Sequence, residues 1–294
     1  MPESPDKRAA PVSTLGSGLY LVATPIGNAR DITLRALDVL AGADVLAAED
    51  TRHTRKLLEI HGIKRSGPVV PYHDHNGPAQ RPRLLAAMAE GRSVALVSDA
   101  GTPLVADPGY RLAVEAAAAG HAVTAVPGAS ALLAALAVAA LPTDRFLFAG
   151  FLPPRQAARR RALAELVAVP ATLVFYESPR RLAESLGDMA AVLGAGRAAA
   201  VCRELTKRFE EVTRAPLGEL AAARAGAPDP KGEIVVLIGP PIEEAAGAEA
   251  LDAALARALA AASVRDAAAE VALALGLPRR EVYARALALA REPR

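Results

Sequence analysis

Three segments of small, turn-forming and acidic residues stand directly after short apolar runs, and their types suit the holding of a ligand against the backbone. They are Thr24-Pro25-Ile26-Gly27-Asn28, Ser98–Gly109 (SDAGTPLVADPG) and Pro127-Gly128-Ala129-Ser130. Small residues let a ligand approach N–H and C=O groups, and proline fixes a loop's shape before anything binds. None contains GxxxxGK[ST], and TPIGN is not GxGxxG, so a phosphate cradle and a standard dinucleotide site are disfavoured. A ligand without phosphate fits better.

Beside them, Glu49-Asp50-Thr51-Arg52-His53-Thr54-Arg55 puts two carboxylates, two hydroxyls, an imidazole and two guanidiniums on a short arc. It reads either as a site that supplies a base next to an anionic polymer or as a solvated helix start with acids near its N-terminus. Tyr72-His73-Asp74-His75-Asn76 holds two of the five histidines. No third ligand at metal-site spacing accompanies them, so no metal is expected and the loop suits positioning of a polar substrate. Phe175–Arg181 (FYESPRR) and Arg203–Glu211 (RELTKRFEE) mix acids and bases at two later strand ends, which suits a polyanion beside a reacting group or plain surface salt bridges. Arg155 with Arg159-Arg160-Arg161 loads a helix start with cations that oppose its dipole, and points to an anionic partner.

The elements that must position these residues alternate. Strands are expected at Leu19–Ala23, Val45–Ala48, Val69–Pro71, Val94–Val97 and Ala122–Val126, as continuous apolar runs of the buried parallel kind. Helices are expected between them, from an Asp31 N-cap through Leu40, and over Arg52–His61, Arg81–Glu90, Gly109–Ala119 and Ala131–Ala140. That alternation argues for a parallel or mostly parallel sheet with helices packed on it, and for a ligand beyond the strands' carboxyl ends. Asp144–Pro154 reads as a crossing segment. The second half then offers helices at Arg155–Val167, Arg181–Leu193 and Leu217–Arg224, and strands at Thr172–Tyr176, Ala198–Arg203, Glu210–Arg214 and Glu233–Gly239. The chain divides into a polar, disordered tail (1–16), α/β domains over 17–142 and 143–241, and an Ala-rich helical segment (242–294). In that segment Ser263–Ala274 and Arg279–Ala290 flank Gly276-Leu277-Pro278, as a helix–turn–helix or a helical hairpin.

Composition narrows the function classes. With 52% hydrophobic residues a large core is available, yet aromatics are 3% and Trp is absent, so a broad base-stacking platform is excluded. The net charge of +2 is no general nucleic-acid signature. Arg greatly outnumbers Lys, which occurs only as Lys7, Lys56, Lys64, Lys207 and Lys231. One cysteine, Cys202, rules out an intrachain disulfide and reads as a buried spectator. No membrane-spanning run or signal peptide is seen, so a cytoplasmic protein is expected.

The blocks YLVATPIGNARDITLRAL, AAEDTRHT, YHDHN, VSDAGTPLVADPG, VPGASA, FLFAGFLP, FYESPRR and CRELTKRFEE occur in this order. Together the chain resembles the bacterial 16S ribosomal RNA cytidine 2′-O-methyltransferases of the tetrapyrrole methylase superfamily. It departs at YHDHN: Asp74 and Gly77 stand where that family commonly carries Glu, and the second change removes a carboxylate, so catalysis is not placed on this loop. The resemblance implies an α/β fold of two tetrapyrrole-methylase-type (class III) domains with S-adenosylmethionine folded in the cleft between them. It implies that Pro25, Ile26 and Gly27 shape the cofactor pocket. Asp99, Gly101, Thr102, Pro103, Leu104 and Val105 line its methionine and ribose side. Pro127, Gly128, Ala129 and Ser130 lie by the adenosine, and Phe151, Leu152 and Tyr176 close the far side.

The reaction implied is attack of a ribose 2′-hydroxyl on the sulfonium methyl, at a cytidine in the decoding region of 16S RNA, cytidine 1402. Glu49, Asp50 and Glu204 are candidate bases, and Asn28 is a candidate to orient the hydroxyl. Arg52, Arg180, Lys207 and Arg208 would hold phosphates. The implied partners are 16S ribosomal RNA within the 30S subunit and a second copy of the chain. A methyltransferase acting on a tetrapyrrole or other small molecule shares the fold. A non-enzymatic module working through the C-terminal helices and a nucleotide-dependent oxidoreductase are the remaining rivals.

Overall fold

The computed structural model describes residues 15–73, 75–241 and 248–291. Residues 1–14 of the expected tail (1–16) and Asp74 lie outside them. The chain forms two compact units, Met1–Pro240 and Pro241–Arg294.

The first unit carries two five-stranded sheets. The first is built from β1 (Gly18–Val22), β2 (Val45–Ala48), β3 (Val69–Pro71), β4 (Ser93–Val97) and β5 (Val123–Val126), in the order β3-β2-β4-β1-β5. Every pairing is parallel. All residues of β2 and β4 are buried, as expected of central strands covered on both faces. Between the strands run α1 (Leu34–Gly42), α2 (Thr51–Ile60), α3 (Gly77–Ala89) and α4 (Tyr110–Ala118), and α5 (Ala131–Ala139) follows β5. The chain steps outward from β1 to β2 and β3, returns to β4, and crosses β1 to reach β5. That reversal places a crevice at the strands' carboxyl ends.

Two starts differ from the sequence expectation. Asp31 does not cap α1: it closes a short 3-10 turn whose cap is Asn28, and Thr33 caps the helix by accepting the Ala36 N–H at 3.2 Å. The extended backbone of Ile32 separates the two. The helix α3 begins at Gly77, not Arg81, because a proline in the first turn, here Pro78, lacks only an N–H that the helix would leave unused.

The second sheet contains β6 (Phe146–Phe151), β7 (Thr172–Glu177), β8 (Ala198–Arg203), β9 (Glu211–Pro216) and β10 (Ile234–Ile238), in the order β6-β7-β10-β8-β9. The expected crossing segment is thus an edge strand, parallel to β7, with an irregularity between Phe148 and Phe151. The sheet is mixed: β10 enters antiparallel between β7 and β8, fully buried, and β8 pairs antiparallel with β9. Helices α6 (Gln156–Ala164), α7 (Leu182–Leu193) and α8 (Leu217–Arg224) complete this half. Leu163, Leu173, Phe175, Leu186, Val201 and Val236 lie in its core.

Two of the four arginines at the start of α6 are used internally, while Arg155 and Arg161 are exposed. Arg159 is 1% exposed; its Nε lies 2.7 Å from Asp188 Oδ2, and Arg160 Nε lies 2.6 Å from the other oxygen of the same carboxylate. A buried charge of this kind is tolerated only when paired and hydrogen-bonded.

The second unit holds α9 (Ala248–Leu259), α10 (Val264–Leu275) and α11 (Arg279–Arg291). Ser263 caps α10 by accepting the Asp266 N–H at 3.2 Å, and Gly276 ends it in the left-handed region at φ 65°. Leu255, Ala268, Val271, Val282 and Ala286 form the unit's own core. Among the described residues no helix is long and apolar enough to cross a membrane.

Candidate active site

The three loops at the carboxyl ends of β1, β4 and β5 are stitched into one rim. Thr24 and Gly101 exchange backbone hydrogen bonds of 2.8 and 3.0 Å, and the Thr24 hydroxyl donates to the Ser98 carbonyl at 3.2 Å. The Thr102 hydroxyl donates to the Ala129 carbonyl at 3.2 Å, which ties in the third loop. The Ser98–Gly109 segment is tightly wound: Gly101, Leu104 and Ala106 have φ of 80°, 73° and 63°. Left-handed backbone at Leu104 and Ala106 is unfavourable for residues with a Cβ, and such conformations persist where the surroundings impose them, often at sites.

The rim forms one wall of a cavity of about 430 Å³. The opposite wall comes from the second sheet: Tyr176 and Glu177 at the end of β7, Cys202 on β8, and Gly232 to Val235 leading into β10. Ile26, Leu205, Phe151 and Val235 supply apolar surface. The Tyr176 ring meets Phe148 and Phe151 edge-on at centroid distances of 4.8 and 5.7 Å.

The polar lining is acidic. Glu49, Asp99, Asp107, Glu177 and Glu233 line the cavity, and none of the described lining residues is Lys, Arg or His. Most of these carboxylates have structural partners. Asp99 accepts the Asp50 N–H at 2.9 Å and faces His53 Nδ1 at 3.3 Å. Glu177 accepts the Ser178 N–H at 2.7 Å and the Ser185 hydroxyl. Glu233 lies 2.8 Å from Lys207 Nζ. Asp107 differs: burial, with the charges of Glu49 and Asp99, pushes its carboxyl up to about 6, against a hydrogen bond with Ser98 that lowers it. Cys202 is fully buried, and burial pushes its thiol up to about 11, so it is not a nucleophile at neutral pH.

Of the residues picked out from the sequence, Ile26, Glu49, Asp99, Gly101, Thr102, Val105, Ser130, Phe151 and Tyr176 meet at this cavity. Pro25, Gly27, Pro103, Leu104, Pro127, Gly128 and Ala129 are not in its lining and belong to the loops behind it. A side chain at Gly27 would run into Lys207, and one at Gly128 would put its Cβ 3.0 Å from that of Ala23. Leu152 is 4% exposed and belongs to the core of the second sheet.

Three of the expected catalytic groups are elsewhere. Asp50 caps α2 and is gripped by Arg52, whose hydrogen bonds hold its carboxyl well below the usual range. Asn28 caps the 3-10 turn, and its N–H donates to the Thr206 hydroxyl at 3.3 Å. Glu204 accepts from Lys207 Nζ at 2.7 Å and from the Glu233 N–H at 3.0 Å, and it packs over Gly232, where a side chain would collide with it. The lysine hydrogen bond lowers its pKa. Lys207 is thereby shared between two carboxylates rather than free for a phosphate. Arg180 and Arg208 are exposed outside the cavity, Arg208 over the Phe209 ring at 5.4 Å, and Arg52 is exposed in its pair with Asp50.

Asp107, in the second loop, Glu177, Ser178 and Pro179, in the FYESPRR block, and the Gly232-Glu233 turn are contributors given no individual role from the sequence. Asp107 had a signal, an acid before Pro-Gly at the end of the same loop. Gly232-Glu233 had none, since only the insertion of β10 beside β7 brings it there.

A family model described as Tetrapyrrole (Corrin/Porphyrin) Methylases matches residues 18–221, and one described as RsmI C-terminal HTH domain matches 244–290. Ribosomal RNA small subunit methyltransferase I of Mesorhizobium japonicum is 52% identical over 279 residues, covering 95% of this chain and 94% of that protein. The protein of that name from Pseudomonas aeruginosa is 45% identical, covering 92% and 96%. Among solved structures, methyltransferase CobJ superposes with a TM-score of 0.58 at 21% identity, over 76% of this chain and 94% of that one. Uroporphyrin-III C-methyl transferase from Thermus thermophilus, described as complexed with S-adenyl homocysteine, gives 0.52 at 22% identity, over 75% and 96%.

Proposed function

The chain belongs to the tetrapyrrole methylases and, within them, to the ribosomal RNA small subunit methyltransferase I family, and from that premise we propose that it methylates the 2′-hydroxyl of a cytidine in the decoding region of 16S RNA, cytidine 1402. It is an S-adenosylmethionine-dependent ribosomal RNA methyltransferase.

The observation that carries the reading is the lining of the cavity. Its volume of about 430 Å³ lies within the range for small-molecule sites. Glu49, Asp99 and Asp107 on the rim, with no cationic side chain among the described lining residues, suit a ligand that carries positive charge and no phosphate. S-adenosylmethionine is such a ligand, and when bound it supplies a methyl group activated by its positive sulfur. Gly101, Thr102, Val105 and Ser130 on the rim would hold it, with Ile26, Phe151 and Tyr176 as apolar walls.

With the methyl group already activated, the work left to the protein is positioning and proton removal. The hydroxyl oxygen gains the methyl carbon, the carbon–sulfur bond breaks with its electrons going to sulfur, and the hydroxyl proton needs an acceptor. Asp107 is the candidate the geometry favours. It faces the cavity, and its raised pKa makes it a stronger base than a free carboxylate while leaving it ionised at neutral pH. Glu49 and Asp99, close enough to raise that pKa, would stabilise positive charge in the cavity, and Glu49 would serve as the second base candidate.

The same lining forecasts ligand selectivity. S-adenosylmethionine should raise the melting temperature and NAD should not, in a thermal-shift titration; stabilisation by NAD alone would overturn the assignment of the cavity.

The proposed setting is the cytoplasm, with the 30S subunit as substrate and the enzyme as a homodimer. Exposed apolar residues on two sheet-edge strands and on α5 support pairing of copies: Val123 on β5, Phe146 and Leu147 on β6, and Leu133. Uncovered apolar edges of this kind invite a partner. Sedimentation equilibrium should give twice the chain's 30.3 kDa; a monomer at micromolar concentration would contradict it.

A further inference from the structure

A second cavity, of about 360 Å³, lies against the first half of the chain and shares Asp107 with the first cavity. Its character is the reverse. Arg81, Arg111, Tyr72, His73 and Tyr110 line it, and Asp107 is its one acid among the described lining residues. Arg111 is exposed and has no ion pair among the described residues. Arg81 gives its Nε to Glu115 at 2.8 Å, while its Nη1 lies beside Gly77, 3.1 Å from where a Cβ would be. Arg81 also hydrogen-bonds the Tyr72 side chain, so its guanidinium is a fixed positive charge in the cavity wall.

Three further observations point to a ligand. The first residues of both α3 and α4 border the cavity, Gly77 and Pro78 in one and Tyr110 in the other, so two helix N-termini turn their partial positive charge toward it. Among the described residues His73 Nδ1 is buried without a hydrogen-bond partner, a condition native structures resolve with a ligand or water. The Tyr110 ring is 69% exposed at the mouth, where it offers a face to an unstacked base.

We infer that this cavity is a subsite for the RNA strand beside the reacting ribose, with Arg111 holding a neighbouring phosphodiester, the fixed charge of Arg81 behind it, and Tyr110 stacking on a base. The inference rests on the RNA 2′-O-methylation reading and adds where the strand lies. Charge is sorted between the two cavities: the acidic one repels phosphate and the cationic one attracts it. Asp107, in the wall common to both, stands where a ribose from the second cavity meets the contents of the first.

The test is binding of the full-length protein to 16S RNA and to 30S subunits as a function of salt, with methyl transfer measured in parallel. Arg111→Glu should weaken RNA binding about tenfold or more. Arg111→Gln should weaken it several-fold and lower the slope of log Kd against log salt by roughly one, the signature of one lost phosphate contact. Arg111→Lys should restore most of the affinity, and S-adenosylmethionine binding should stay within about twofold for all three. Arg83→Glu, an exposed change on α3 outside the cavity, should have a smaller effect. Unchanged RNA affinity in Arg111→Glu, or an equal loss in Arg83→Glu, would overturn the subsite while transfer by the unaltered protein keeps the reaction standing. No transfer to RNA by the unaltered protein would overturn the reaction and the subsite together.

Discussion

Replacing Asp107 by Asn should lower the single-turnover rate of methyl transfer by roughly 10²–10³-fold, the usual weight of a positioned general base, with cofactor affinity changed only a few-fold. The pH dependence separates this from a structural defect. A protonated carboxyl cannot accept the hydroxyl proton, so kcat/KM of the unaltered enzyme should fall below about pH 6, where Asp107 titrates. In the limb for kcat the midpoint should lie lower, because a cationic ligand beside the carboxylate favours its charged form. Both limbs should be absent in Asp107→Asn.

Stability should move the other way. An unfolded aspartate ionises near 3.9, whereas the folded group titrates at about 6. Ionising it in the fold therefore costs stability, on the order of 2 kcal/mol, lost as pH rises from about 4 to 6. The neutral Asn removes that cost, so the variant should melt no lower than the parent at neutral pH. A folded variant that stays active with an intact acid limb would remove Asp107 from the mechanism.

Gly101→Val should nearly abolish cofactor binding. Gly101 sits at φ 80°, a backbone region hostile to β-branched residues. Its two hydrogen bonds to Thr24 clamp the loops after β1 and β4 together, and an added Cβ would already stand 3.4 Å from Ile26 Cγ2. Backbone strain of this type costs about 1–3 kcal/mol, and the loop can relieve it only by unclamping. Calorimetry should show S-adenosylmethionine affinity reduced about tenfold to a hundredfold, with a modest loss of thermal stability. Unchanged affinity would mean that the cofactor pocket lies elsewhere.

The parts of this site that were legible in the sequence are those whose signal is local. Proline, glycine and small residues after an apolar run marked the loops at Thr24, Ser98 and Pro127 because turn chemistry resides in neighbouring residues. The parts that were not legible depend on distant packing. Glu204 stands at a strand end among charges, as a base might, but β10 inserts beside β8 and turns that carboxylate onto Gly232 and Lys207. Asp107 is raised by burial and by two acids, 58 and 8 residues away in sequence, and no single stretch records that meeting. At Arg159 a signal existed and pointed inward: the residue is four positions from the core residue Leu163, on the same face of α6.

The product expected of the enzyme is a methyl group on a ribose oxygen of 16S RNA. Its most direct test is incubation of 16S RNA and of 30S subunits with methyl-labelled S-adenosylmethionine, with and without the protein, followed by nuclease digestion and mass-spectrometric mapping. A single added methyl is expected on the sugar of a decoding-region cytidine, absent when Asp107→Asn is used. Label on a base, label confined to a small-molecule tetrapyrrole, or none in either RNA substrate would contradict it.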